Sequence, residues 1–404
     1  MSVRSIGRLD WTESATVERA AAAVGTLLPP SLLPIFDAPF ARSHLIFDEY
    51  VYRLTLAAVA AARLDAALTV WGGADDVVAR AGLEPRRSRV AVDWMLRHLA
   101  ARGDLAQENG DGGLRFRLDR PLPVLDAAAV LAEQRAHDAR CLPSYAVAET
   151  AARDYPAFLR GERTGEEILL SPARLGLWTS YFSNDNPLYA VNNRVGAAAL
   201  EMWMTPGAGL ILELGGGLGS GTAAVLDRLS AGGRLGEIAA YRFTEFVPAF
   251  LRRAERLRER FAEAGFLTFA ALDMNRPFGE QGVAPESVSI VYAVNVLHVA
   301  HDLAFTLAEI HRALAPGGQL IVSEGVRPVP GQTMYPEFIF NLLETFRAPR
   351  LHPAYRPNGG FLTIEQWRAA FDAAGFRDAR AIPDVARIRE IFPTFYAAAM
   401  GATR

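Results

Sequence analysis

The chain has 404 residues, half of them apolar and 22% charged, the make-up of a soluble globular protein with room for about two or three domains. A formal net charge of -3 gives no global pull toward nucleic acid or an anionic membrane, and a single cysteine, Cys141, excludes an internal disulfide and a cysteine-rich metal site. The first residues, Met1 to Trp11, carry no apolar signal-peptide core and no later apolar run reaches membrane-span length, so a cytoplasmic protein is expected, with no metal, membrane or nucleic-acid partner.

Residues 1–40 are rich in Ala and Pro, and Pro29, Pro30 and Pro34 interrupt any continuous helix, which predicts an arm or lid rather than a core element. Residues 41–165 read as amphipathic helices with a small hairpin. Val92, Met95, Leu96 and Leu99 recur on one helical face, Gly103 ends that helix, and Gly110 to Gly113 separate two short strands, Asp104 to Gln107 and Leu114 to Leu118. Helix, helix and hairpin make a winged-helix layout. Such a layout admits a DNA-binding regulator, with Arg86, Arg87, Arg89 and Arg97 on phosphates. Asp93, Asp104, Glu108 and Asp111 share the segment, however, and no basic cluster accompanies the hairpin. Further on, the aromatic and polar run from Leu177 to Asn193 is the expected substrate-facing connector, with Tyr181, Tyr189 and Asn193 as candidate substrate contacts; inter-domain core is its other reading.

From Gly209 to Arg327 short apolar strands alternate with amphipathic helices, which predicts a doubly wound, Rossmann-like α/β domain occupying residues 166–404. The expected strands are Leu210–Leu214, Ala239–Thr244, Thr268–Leu272, Ser289–Val294 and Gln319–Ser323, with helices over Gly221–Ser230, Val247–Ala264 and Asp302–Leu314 between them. In such a sheet ligands sit beyond the carboxyl ends of the strands. The first strand runs through Glu213 into Gly215, Gly217 and Gly219, glycines that let a backbone turn sharply against a ligand. Glu245 ends the second strand, where a carboxylate can accept from two ribose hydroxyls, and Asp273 ends the third, where it can take an adenine amine while Met274 packs on the ring. Both carboxylates also fit as helix N-caps. Beyond the fourth and fifth strands stand Asn295, His298 and Glu324; a His accepts a proton near neutral pH, and a carboxylate on its far nitrogen fixes the tautomer. His301 reads instead as a helix N-terminal residue.

The spacing Glu213-x-Gly215-x-Gly217-x-Gly219 resembles the first motif of class I S-adenosylmethionine-dependent methyltransferases. That resemblance implies S-adenosylmethionine as cofactor, with Glu213 near its ammonium and Asn295 among its contacts. Asn295-Val296-Leu297-His298, Leu314 to Gly318 and Glu324-Gly325 further resemble the C-methyltransferase domains of polyketide synthases over residues 165–330, where the usual Asp is here Glu245. The family implies His298 and Glu324 as the catalytic pair, a small-molecule or carrier-tethered acceptor, and carbon methylation in natural-product biosynthesis. Phe361 to Phe376 resembles the family's late features, with a final antiparallel hairpin. Phenol or enol O-methylation and a non-catalytic cofactor binder remain the alternatives. In related small-molecule methyltransferases a winged-helix-like front module serves dimerisation and substrate covering, so a homodimer is expected. On this reading Glu324→Gln, which keeps the shape of the pair, is expected to weaken turnover less than His298→Ala.

Overall fold

The computed structural model describes residues 14–32, 36–110, 112–261 and 265–404. Met1 to Trp11, Pro34, Asp111 and the expected helix end at Ala264 lie outside them. Two short strands, β1 (Ala106–Gly110) and β2 (Gly113–Arg117), form the antiparallel hairpin of the front module, and Gly72 bridges to Phe116 beside it. Pro85 opens the helix Pro85–Ala101, whose Glu84 cap accepts the Arg86 and Arg87 N–H groups. Its Val92, Met95, Leu96 and Leu99 are buried.

The main sheet contains β3 (Ala208–Leu214), β4 (Ile238–Thr244), β5 (Leu267–Ala270), β6 (Val288–Val294), β7 (Leu314–Gly325), β8 (Arg377–Ile382) and β9 (Ala397–Thr403). Their order is β5-β4-β3-β6-β7-β9-β8, parallel from β5 to β7 and antiparallel through β9 and β8. The chain leaves β3 toward one side for β4 and β5 and returns to its other side for β6. This reversal opens a crevice at the carboxyl ends of β3 and β6. Covered on both faces, β6 reads as an almost unbroken apolar run, Val288 to Val294.

Apolar packing divides into two clusters that do not follow the order of the sequence. One surrounds the sheet; the other joins the front helices to Met334, Tyr335, Phe338, Ile339, Leu342 and Phe346. Residues 334–346 thus pack with the front module, although the sequence places them inside the Rossmann-like span. The long helix Ala38–Ala61 ties the clusters together, contributing Phe40 and Ala41 to the first and Ile46 to Val59 to the second. The expected arm is corrected over its described part. Helix Ser14–Gly25 buries Val17, Ala21 and Val24 in the sheet cluster, and Phe36 meets Phe40, Phe392 and Phe395 at 5.4, 5.3 and 5.5 Å between ring centroids. Prolines interrupt this segment without removing its apolar face. Among the described residues no helix is long and apolar enough to cross a membrane.

Candidate active site

A cavity of about 1170 Å3 opens where β3, β4, β6 and β7 end. Its floor is the loop after β3. Gly217 has φ of +59° there, with nothing within 4 Å of where a Cβ would stand, so its backbone presents a bare face to the cavity. Gly215 and Gly217 line the cavity, whereas Gly219 caps the following helix and faces Leu257 and Ala254.

Glu213 and Glu245 flank this loop. The Glu213 Oε2 accepts from the Thr222 hydroxyl and, at 2.9 Å, from the Tyr241 hydroxyl; Oε1 has no partner among the described residues. Burial pushes the Glu213 carboxyl up to about 7, against the pull of these two hydrogen bonds, and a nearby cation would reverse that shift. Glu245 takes the Gly217 N–H at 2.9 Å and the Val247 N–H at 2.7 Å on its two oxygens. Burial raises its pKa too, and each oxygen keeps a lone pair for a hydroxyl donor.

Opposite the loop, the tight turn Leu297–Val299 places His298 against Glu324, which is fully buried on β7. The Glu324 Oε1 accepts the N–H groups of Val296, Leu297 and His298 at 3.1, 2.9 and 3.3 Å. Its Oε2 stands 2.6 Å from His298 Nδ1. A carboxylate that collects three N–H donors on one oxygen is an acceptor on the other, so Nδ1 carries the hydrogen, and in the neutral ring Nε2 is the nitrogen with the lone pair. His298 lines the cavity, and Phe361 packs against its ring at 4.7 Å between centroids. Arg356, fully buried, donates to the His298 and Ala300 carbonyls at 2.5 and 2.6 Å and so clamps the turn from behind.

The connector closes one side. Tyr181, Tyr189 and Asn193 line the cavity, and the Asn193 Oδ1 is buried without a partner among the described residues. Asn184 donates to the Ser220 carbonyl at 2.8 Å, pinning the connector to the helix that follows the glycine loop. Asn295, with φ of +50°, also lines the cavity, but its Oδ1 is taken by Asn192 at 2.8 Å and the Gly325 N–H at 3.2 Å. Pro336, Phe340 and Leu343 cover the other side, so among the described residues the roof comes from residues 336–343.

Asp273 and Met274 fall outside the lining. Asp273 Oδ1 closes its own turn by accepting the Asn275 N–H at 2.9 Å, and Met274 packs against the sheet core. His301 is exposed and away from the cavity. Asn192 and Arg356 escaped the sequence reading. Asn192 stands beside Asn193 in a run whose helical phase was unknown, and Arg356 lies 58 residues from the carbonyl it holds. Cys141 is buried and free, and among the described residues no group of His, Cys, Asp and Glu is arranged to hold a metal.

The parallel sheet with its antiparallel end, and the glycine loop between two strand-end carboxylates, give this chain the fold shared by class I S-adenosylmethionine-dependent methyltransferases. Residues 212–320 match the family model described as a methyltransferase domain. The chain is similar to the highly reducing polyketide synthase NEC1 of Pyricularia oryzae, at 32% identity over 174 residues, which are 43% of this chain and 6% of that protein. In fold it is similar to the CurJ carbon methyltransferase, with a TM-score of 0.75 and 21% identity over 97% of this chain and 99% of the other. The trans-methyltransferase CalH, solved in complex with SAH, gives a TM-score of 0.59 and 21% identity over 89% and 91% of the two chains.

The residues around the loop fit that cofactor: Glu213 offers an unpaired carboxylate oxygen for an ammonium, Glu245 offers acceptors for two hydroxyls, and the Gly217 face leaves room for a close approach.

Proposed function

We propose that the protein methylates an acidic carbon of a small-molecule or carrier-tethered, polyketide-like acceptor, with His298 as general base and Glu324 holding its tautomer. The observation that carries this reading is the 2.6 Å contact between His298 Nδ1 and Glu324 Oε2 in the wall of the cavity that holds the glycine loop. Bound at that loop, S-adenosylmethionine supplies an electrophilic methyl group that needs no further activation.

The protein's share of the chemistry is alignment and proton removal. His298 Nε2 takes the proton from a carbon between two carbonyls and the C–H electron pair passes into the enolate, whose carbon would take the methyl group of a bound sulfonium as the methyl–sulfur bond breaks and its electron pair stays on sulfur. Glu324 carries the countercharge for the imidazolium. Tyr181, Tyr189 and Asn193 position the acceptor, and Asn295 braces Asn192 at the cavity edge. The front module serves pocket cover and association into a dimer rather than DNA. Three of its four candidate arginines are engaged within the chain: Arg89 with Asp75, Arg97 with Asp93, and Arg87 with the Gly161 carbonyl.

Solvent deuterium exchange into the acidic position of a 1,3-dicarbonyl thioester tests the base directly. The parent protein should accelerate it and His298→Ala should not. With 13C-methyl cofactor the product should show a carbon-bound methyl; an oxygen-bound methyl would transfer the same base to O-methylation.

A further inference from the structure

A second cavity, of about 960 Å3, lies behind the roof of the first. The roof segment turns Pro336, Phe340 and Leu343 toward the first cavity and Glu337, Asn341 and Arg347 toward the second. Helix Pro85–Ala101 forms the facing wall with Arg89, Asp93 and Arg97.

Four guanidinium groups, with Arg327 as the fourth, share this lining with two carboxylates. Both carboxylates are already committed. Asp93 accepts from Arg97 Nε at 2.7 Å, and Glu337 accepts from Arg327 at 2.5 Å, the Trp94 indole at 3.0 Å and the Met334 N–H at 2.8 Å. Arg347 has no carboxylate within ion-pair distance among the described residues. It lies over the Phe158 ring, and one of its terminal nitrogens reaches only the Arg86 carbonyl, at 3.4 Å. Its Nε is buried without a partner among the described residues, and so is the Asn341 Nδ2.

The orphaned polar atoms of this cavity are therefore all donors, and because Arg89 pairs with Asp75, Arg97 with Asp93 and Arg327 with Glu337, the positive charge left unpaired is that of Arg347. Buried donors of this kind are normally matched by acceptors. A planar carboxylate would meet one guanidinium fork edge-on, whereas a tetrahedral anion turns oxygens toward both walls at once. We propose that the second cavity binds a phosphate-type oxyanion, either free phosphate or an organic phosphate ester, with Arg347 and Asn341 donating from one wall and Arg97 from the other. This site is independent of methyl transfer, although its ligand would grip the back of the roof over the first cavity.

Calorimetric titration of the full chain with inorganic phosphate, glycerol 3-phosphate and acetate tests the proposal, with S-adenosylhomocysteine titrated in parallel. Saturable phosphate binding is expected, weakened about tenfold or more by Arg347→Gln and by Asn341→Leu, and unchanged by Arg276→Gln on the exposed surface. Tighter binding of glycerol 3-phosphate identifies an ester as the source, and tighter inorganic phosphate identifies the free ion. S-adenosylhomocysteine affinity should stay at the parental value in all three variants, which also reports folding; should Arg347→Gln not fold, Asn341→Leu decides. No saturable phosphate binding, acetate binding as tight as phosphate, displacement of phosphate by duplex DNA, or parental affinity in a folded variant overturns the proposal. Loss of S-adenosylhomocysteine binding in the parent would instead count against the methyl-transfer reading alone.

Discussion

Replacing Glu324 by Gln changes one atom and should nevertheless stop the chemistry. Three backbone N–H groups converge on Glu324 Oε1, so the amide oxygen of a glutamine must occupy that place and its NH2 must face His298 Nδ1. The imidazole can meet that donor only by accepting at Nδ1, which moves its hydrogen to Nε2, the nitrogen facing the cavity. The base is then protonated where it should accept. Turnover should fall roughly 10² to 10⁴-fold, about 2.7 to 5.4 kcal/mol of barrier, a loss of the same order as for His298→Ala. The milder loss expected from side-chain shape alone assumes that the amide can turn freely, which the three N–H groups prevent. Release of S-adenosylhomocysteine at saturating acceptor measures the rate, and calorimetric titration checks that cofactor affinity stays parental. A Glu324→Gln protein that binds normally and keeps turnover within about threefold of the parent would refute the tautomer argument.

If the pair acts as one unit, the His298→Ala, Glu324→Gln double variant should be little slower than either single variant in the same turnover assay. Glu245→Ala removes the partner of two backbone N–H groups as well as the proposed ribose acceptor, and should weaken S-adenosylhomocysteine binding by about 2 to 3 kcal/mol in calorimetry. Glu213 is raised from 4.5 to about 7 by burial, so the native state holds a proton that the unfolded chain has released. Its contribution to stability should therefore fall as pH rises from about 4.5 to about 7 and level off above, and Glu213→Gln should remove that slope from urea unfolding. Binding of a cationic ammonium should release this proton near neutral pH, seen as buffer-dependent heat that vanishes in Glu213→Gln. Phe36→Ala should cost about 3 to 5 kcal/mol in urea unfolding, because its ring is shared among three others in the core; an arm resting on the surface would lose far less.

The alternation of apolar runs with amphipathic helices determined the five parallel strands by itself, since strands buried on both faces and helices buried on one leave distinct periods in the sequence. Motif spacing likewise placed the glycine loop, Glu213, Glu245, His298 and Glu324 at strand ends, because each lies within a few residues of an apolar run that folds locally. Contacts across distant segments left no such mark. Arg356 holds the His298 carbonyl from 58 residues away, and residues 334–346 leave the Rossmann-like span to pack with the front helices and roof the cavity. Proline breaks in residues 1–40 read as a detached arm, because periodicity reports where a helix stops and not what its apolar face meets. Asp273 and Met274 show the same limit in the opposite sense. Their position after β5 was legible, but the direction of their side chains was settled by the turn Asp273 caps and the core Met274 fills, and only the packed structure contains either.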